Sequence, residues 1–193
     1  MNSPEPSTVG SVNEPGYDAV MALGKDYLGQ DCSLSRSLEL LGERWTLLVV
    51  QNAIYGVRRF SDFQVRLDIP KAVLSDRLAR LTEGGVLEKR PYQASPPRYE
   101  YVPTDAGVEL WPVVYQLGVW GYKHIGGEPP RLFRHAECGA GLLPSTECPQ
   151  CGPVHPRDVE MYPGPGPKRT DRVSQAMNRP RRLLEPLVLE PQA

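Results

Sequence analysis

Apolar residues recur at helical spacing through the first half of the chain, then alternate briefly, then lose any period. Leu34, Leu38 and Leu41 predict a helix over 33–41, capped by Asp31 or Ser33 and ended by Gly42. A second helix is predicted from about Arg44 to Tyr55, with Trp45, Leu48, Val49 and Asn52 stepping round the cylinder and Gly56 stopping it. A short third helix covers 60–67, opening on Phe60-Ser61-Asp62-Phe63. Leu74, Leu78 and Leu81 form the stripe of a fourth over 70–83, with Pro70 at a favoured first position and Gly84-Gly85 at the end. Strand-like runs at 86–90 and 98–102 flank a proline-stiffened tip and predict a hairpin. A last long helix is expected over 104–125, with Leu110, Val113, Val114, Leu117 and Trp120 on one broad apolar face. That face exceeds what an edge helix of a monomer needs, so a partner helix from a second subunit is expected; burial within its own chain is the alternative.

These elements give an α+β class: a mostly helical winged helix-turn-helix with a two-stranded wing, followed by a small zinc-ribbon-like knuckle region. The expected divisions are a mobile arm over 1–26, a winged-helix DNA-binding and dimerisation unit over 27–127, a Cys/His region over 128–162 and a Pro-rich, basic, disordered tail over 163–193. The tail begins Pro163-Gly164-Pro165-Gly166-Pro167, and only Leu183–Leu189 has the character of a docking turn. Its arginines suggest added non-specific DNA affinity or a plain solvated tail.

Composition changes this picture in one respect. The 193 residues hold 22 Lys+Arg against 23 Asp+Glu, a net charge of −1, which excludes a uniformly basic coat. Within 57–98, however, 9 basic residues face 5 acidic ones, a local footprint of the kind a nucleic-acid binder needs. A helix in the major groove needs small polar and basic side chains outside its apolar stripe, and Lys71, Ser75, Arg77 and Arg80 meet that need. Lys89, Arg90 and Arg98 of the wing are expected on phosphates, with Tyr92–Ser95 near the minor groove. The first fifteen residues carry no Lys or Arg and no apolar stretch, and the longest apolar run is Leu47–Val50. A cytoplasmic protein with no membrane partner and reduced thiols is therefore expected.

Residues from about 31 to 125 resemble the HxlR family of bacterial transcription regulators, within the wider MarR-like group. The resemblance rests on Cys32, Leu41-Gly42-Glu43-Arg44-Trp45-Thr46, Arg59-Phe60-Ser61-Asp62-Phe63, and Ile69-Pro70-Lys71-Ala72-Val73-Leu74-Ser75-Asp76-Arg77-Leu78. It continues with Gly84-Gly85-Val86-Leu87 and Arg98-Tyr99-Glu100-Tyr101 leading to Thr104-Asp105-Ala106-Gly107. Glu43-Arg44 stands where the family usually has Gly-Lys, and Pro103 where an apolar strand residue is usual. The resemblance implies a homodimer, joined by the first and last helices of the domain, on a palindromic double-stranded DNA operator. A sequence-specific regulator, most simply a repressor, follows from it. A protein-interaction adaptor on the same fold is the alternative, and no phosphate loop or catalytic carboxylate pair suggests an enzyme. A small-molecule effector between the long helix and the winged core, near Trp111, Tyr115 and Trp120, fits the aromatic content.

Two cysteine sets add chemistry. Cys32 opens the first helix, where unpaired N–H groups favour thiolate while Asp31 opposes it. The resemblance implies redox sensing of oxidants or electrophiles at Cys32, acting through the dimer; a small packed residue is the alternative. His135, Cys138, Cys148 and Cys151 have the two-residue gaps of paired knuckles, each ending in glycine. They predict one structural zinc ion in a closed set of one histidine and three cysteines, with His155 as a spare ligand and a metal-free or disulfide-capable loop as the alternative.

Overall fold

The computed structural model describes Tyr27, Gln30 and residues 32–189. The arm expected over 1–26 and the Asp31 beside Cys32 lie outside the described residues. The helices are α1 Ser33–Leu41, α2 Thr46–Ile54, α3 Phe60–Leu67, α4 Lys71–Glu83, α5 Asp105–Val108, α6 Trp111–His124 and α7 Arg172–Ala176. The strands are β1 Leu87–Gln93, β2 Arg98–Pro103, β3 Arg131–His135, β4 Val159–Pro163 and β5 Arg181–Arg182. β1 and β2 pair antiparallel as the wing, and β3-β4-β5 form a second sheet.

The winged unit forms as its pattern predicts. Leu74, Leu78 and Leu81 of α4 are fully buried against Val49, Val50, Ala53 and Ile54 of α2. Full burial of such aliphatic side chains stabilises by about 1.5–3 kcal/mol each. Two boundaries differ. The wing strands run further than expected, so the turn narrows to 94–97, and the register slips between Pro91 and Gln93, where proline has no N–H to give the ladder. The last helix is two helices. Pro112 lacks the donor a continuous helix needs and its ring would press on the carbonyl of Val108, so α5 closes and α6 restarts with the proline in its first turn.

α6 also divides its apolar residues between two faces. Trp111 and Val114 are buried inward, whereas Val113, Leu117 and Trp120 point outward at 46%, 51% and 55% exposure. Trp111 and Tyr115 of α6 meet Tyr55 at the end of α2 and Phe133 of β3 in one aromatic cluster, with ring centroids 5.0–6.5 Å apart. This cluster joins the winged unit to the second sheet.

The tail expected to be disordered is folded through Leu189. Val173, Met177 and Leu183 are buried in the same core as Val159 and Met161 of β4. Leu183 N–H donates to Val159 O (3.0 Å), Leu184 N–H to Ile54 O (2.8 Å) and Leu187 N–H to Gly56 O (2.8 Å). The Pro-Gly run packs edge-on against 128–131: Gly164 N–H donates to Pro130 O and Gly166 N–H to Pro129 O, at 3.0 and 3.1 Å. A Cβ on Gly164 or Gly166 would sit 2.2 or 2.1 Å from a carbonyl oxygen of Pro129 or Glu128, so only glycine fits. The tail's charges are also engaged: Arg172 pairs with Asp62 (2.7 Å), Arg169 with Asp171 (3.2 Å) and Arg182 with Asp158 (3.5 Å). Val173 and Met177 share one face of the short α7, but a single turn between proline-rich stretches is too brief to stand out as a period, which is why the sequence pattern hid the fold of this segment. Among the described residues, no helix is long and apolar enough to cross a membrane.

Candidate functional site

α4 presents Lys71, Ala72, Ser75, Asp76 and Ala79 on its exposed face. Two of the basic residues assigned to that face are turned inward. Arg77 donates to the Arg44 carbonyl (3.2 Å) and pairs with Glu43 (3.0 Å) and Asp76 (2.7 Å), with its side chain only 14% exposed. Arg80 donates to the Glu39 carbonyl (3.1 Å) at the end of α1. Both clamp α4 to the α1–α2 junction. Arg58, counted in the basic footprint, is likewise buried and bonded to the carbonyls of Ala53, Val57 and Leu184. Desolvation first of all brings its pKa down to about 10.

Within 57–98 the exposed positive charge therefore lies at Arg59, at the start of α4 and on the wing. Lys89 lies over the Tyr99 ring at 4.3 Å, and Arg59 over the Tyr92 ring at 4.8 Å. With Ser61 and Arg98 these residues line a shallow groove between α3 and the wing. Arg90 pairs with Glu88 on the outer edge (2.7 Å). Arg59 was missed from sequence because the Arg58-Arg59 doublet gives no sign of which member turns outward. A bridge to Glu100 of the wing, through backbone pairing, fixes that choice.

Cys32 itself caps α1, in place of Asp31 or Ser33. Its sulfur accepts from the Ser35 N–H (3.3 Å) and lies 3.4 Å from Ser35 Oγ. The side chain is exposed. Hydrogen bonding by Ser35, through its hydroxyl and then its N–H, holds the thiol below its ordinary pKa against a smaller desolvation cost.

The four predicted metal-ligating residues come together. The ligand atoms of His135, Cys138, Cys148 and Cys151 all lie within 4.8 Å of one another. Cys138 Sγ is 3.4 Å from both His135 Nδ1 and Cys148 Sγ, close to the roughly 3.5–3.8 Å edge of a zinc tetrahedron with thiolate and imidazole ligands. Gly139 and Gly152 take φ of +75° and +81°, and their N–H groups return to the carbonyls of His135 and Cys148 at 2.9 Å, which closes the two knuckles. His135 Nε2 faces Glu137 at 4.0 Å, leaving Nδ1 toward the sulfurs. His155 is not part of the cluster; its Nδ1 accepts from the Arg157 N–H at 3.1 Å. Burial works against ionisation of Cys148, but the N–H groups of Gln150 and Cys151 and the Cys138 thiol outweigh it and bring it to about 7. Hydrogen bonding to Cys138, then burial, pushes Cys151 up to about 11.

A sequence model described as HxlR-like helix-turn-helix matches residues 40–129. Rv3095 of Mycobacterium tuberculosis, an uncharacterized HTH-type transcriptional regulator, is 40% identical over 151 residues, covering 77% of this chain and 94% of its own. The chain belongs to the HxlR-like helix-turn-helix family. YdeP of Bacillus subtilis, also an uncharacterized HTH-type regulator, is 31% identical across 53% of this chain and 83% of its own. The solved structure of PA1607, a candidate transcription factor, superposes with a TM-score of 0.55 at 28% identity, covering 67% of this chain and 93% of that one. This HxlR-like chain is thus a DNA-binding transcriptional regulator of the helix-turn-helix type. The alignment with Rv3095 is longer than the family match, so that likeness extends past the winged helix.

The thiol assignment has a direct check. Peptide-resolved alkylation by iodoacetamide between about pH 6 and pH 10 should give Cys32 a midpoint below the ~8.5 of a free thiol, and Ser35→Ala should move it upward. A Cys32 midpoint at or above the free value, unmoved by Ser35→Ala, contradicts the capping account.

Proposed function

We propose that this HxlR-like protein is a homodimeric repressor that reads a palindromic operator with two copies of α4. The observation that carries the reading is the outward stripe of α6: Val113, Leu117 and Trp120 are half exposed on a helix whose other face is already buried in the core. Leu34 of α1 is 65% exposed and extends the apolar surface available to a second copy. Two-fold pairing through α1 and α6 presents two reading helices to successive major-groove turns, the arrangement a palindrome requires. Lys71 and Ser75 are the α4 side chains free to meet DNA, with Lys89 and Arg98 on the wing phosphates. Arg90 contributes once Glu88 releases it, and Arg77 and Arg80 act by holding α4 in place. Bound over a promoter, such a dimer represses by occlusion.

Cys32 supplies the response to oxidants or electrophiles. It lies at the start of α1, beside the proposed interface, so a larger or charged group on its sulfur disturbs the cap and the pairing together. One structural zinc ion held by His135, Cys138, Cys148 and Cys151 pins β3 to the knuckle loops.

Leu117→Glu should convert the dimer to a monomer in sedimentation and lower affinity for DNA from the flanking intergenic region by at least about tenfold. Lys71→Ala and Arg98→Ala should each reduce the salt dependence of binding by about one phosphate contact, leaving thermal stability unchanged. A dimeric Leu117→Glu protein, or unchanged salt slopes in both charge variants, overturns the docking. Protein purified under reducing conditions should carry about one zinc per chain, lost in Cys148→Ser. Metal content near zero in the parent protein removes the zinc assignment.

A further inference from the structure

A cavity of about 510 Å³ lies between α6 and the second sheet, within the range of small-molecule sites. Aromatic rings, Tyr55, Tyr115 and Phe133 among them, form part of its wall. Its charged lining is unbalanced. Arg66 of α3 and Arg131 of β3 both face it, and the one acidic lining residue, Glu128, is exposed to solvent.

Neither arginine is paired with a carboxylate among the described residues. Arg131 is 8% exposed; its guanidinium donates to the carbonyls of Pro130 (2.8 Å) and Ser174 (3.5 Å), and its Nε is buried without a partner. Arg66 Nε is also buried without a partner. The acid that acts on Arg66 from a distance, Asp171, is taken by Arg169 and by the cap of α7 through Ser174. Desolvation first of all holds each guanidinium below its ordinary pKa; the charge of Arg66 adds to this at Arg131, and at Arg66 the effect of Asp171 opposes it while Arg169 adds to it. Two partly desolvated cations without an anion are costly, and the cost falls when an anion enters. Aromatic walls beside the two forks select a ligand with a flat apolar body and one carboxylate, which an arginine fork binds in two-pronged fashion.

We infer that this cavity is a binding site for an aromatic carboxylate, whose carboxylate is held by Arg66 and Arg131 and whose ring lies against the cavity side of the Tyr55, Tyr115 and Phe133 cluster. α6 supplies Val114, Tyr115 and Gly118 to the cavity and Val113, Leu117 and Trp120 to the opposite face. Occupancy therefore acts on the helix that pairs the two copies and changes operator affinity. This regulatory part rests on the dimer proposed above; the binding itself does not.

Calorimetry on the full-length protein without DNA, with 1-naphthoate as probe, tests the binding alone. One site per chain is expected, with 1-naphthamide, the neutral isostere, and inorganic phosphate each weaker by about tenfold or more. Arg66→Gln and Arg131→Gln should each weaken naphthoate by a similar factor while retaining the circular dichroism of the parent protein. Arg66→Gln leaves the Arg131 contacts intact and serves if Arg131→Gln fails to fold. Equal binding of acid and amide, tighter binding of phosphate than of naphthoate, or no naphthoate binding at all overturns the site. Saturating naphthoate should then shift operator affinity several-fold in the parent protein and not in Arg66→Gln; binding with no such shift overturns the regulatory part and leaves DNA reading untouched.

Discussion

The carboxyl end of α2 imposes the constraint from which the rest of the architecture follows. A helix ends with carbonyls that have no partner in the helix, and here they end inside the protein, because Val49, Val50, Ala53 and Ile54 are buried all round. Each unpaired buried carbonyl would cost about 1–3 kcal/mol. The chain answers from far away in sequence: Leu184 N–H reaches Ile54 O, Leu187 N–H reaches the Gly56 carbonyl, and the Arg58 guanidinium bridges Ala53 O and Leu184 O. Gly56 makes this approach possible, since a Cβ there would lie 2.0 Å from Glu185 O, and its φ of +98° suits no other residue well. The segment after the Pro-Gly run is thereby an integral wall of the molecule.

With that wall in place the functional parts become mutually dependent. α2 supports α4 through Leu74, Leu78 and Leu81 on one side and, through Tyr55, reaches the aromatic cluster of Trp111, Tyr115 and Phe133 on the other. The cluster fixes α6 against β3, and β3 carries His135 into the cysteine knuckles. One continuous set of contacts therefore links the knuckles, the cavity and the tail to the helix that carries the outward apolar stripe and, through α2, to α4.

The periodic elements were legible in the sequence, and the irregular ones were not. The α4 stripe and the wing could be read because packing follows periods of 3.6 and 2, and the knuckle ligands because their spacing is set by the reach of a tight turn. Pro112 announced the break between α5 and α6, although the broad apolar run around it suggested one helix. The direction of these arginine side chains was not read: Arg77 and Arg80 stand beside the buried stripe rather than opposite it, and they find carbonyls and a carboxylate of the α1–α2 junction that no local pattern reveals. The folded tail was hidden for a related reason, since Val173 and Met177 span only one turn of helix and Leu183 and Leu187 are spaced by the surface they cover.

Native-state hydrogen exchange resolved on peptides spanning 181–189 tests the central claim, that this last segment and α2 share one core. The account predicts that the amides of Leu183, Leu184 and Leu187 exchange as slowly as those of α2, in one cooperative unit with it. Exchange of these amides at unprotected rates, while α2 stays protected, would contradict it.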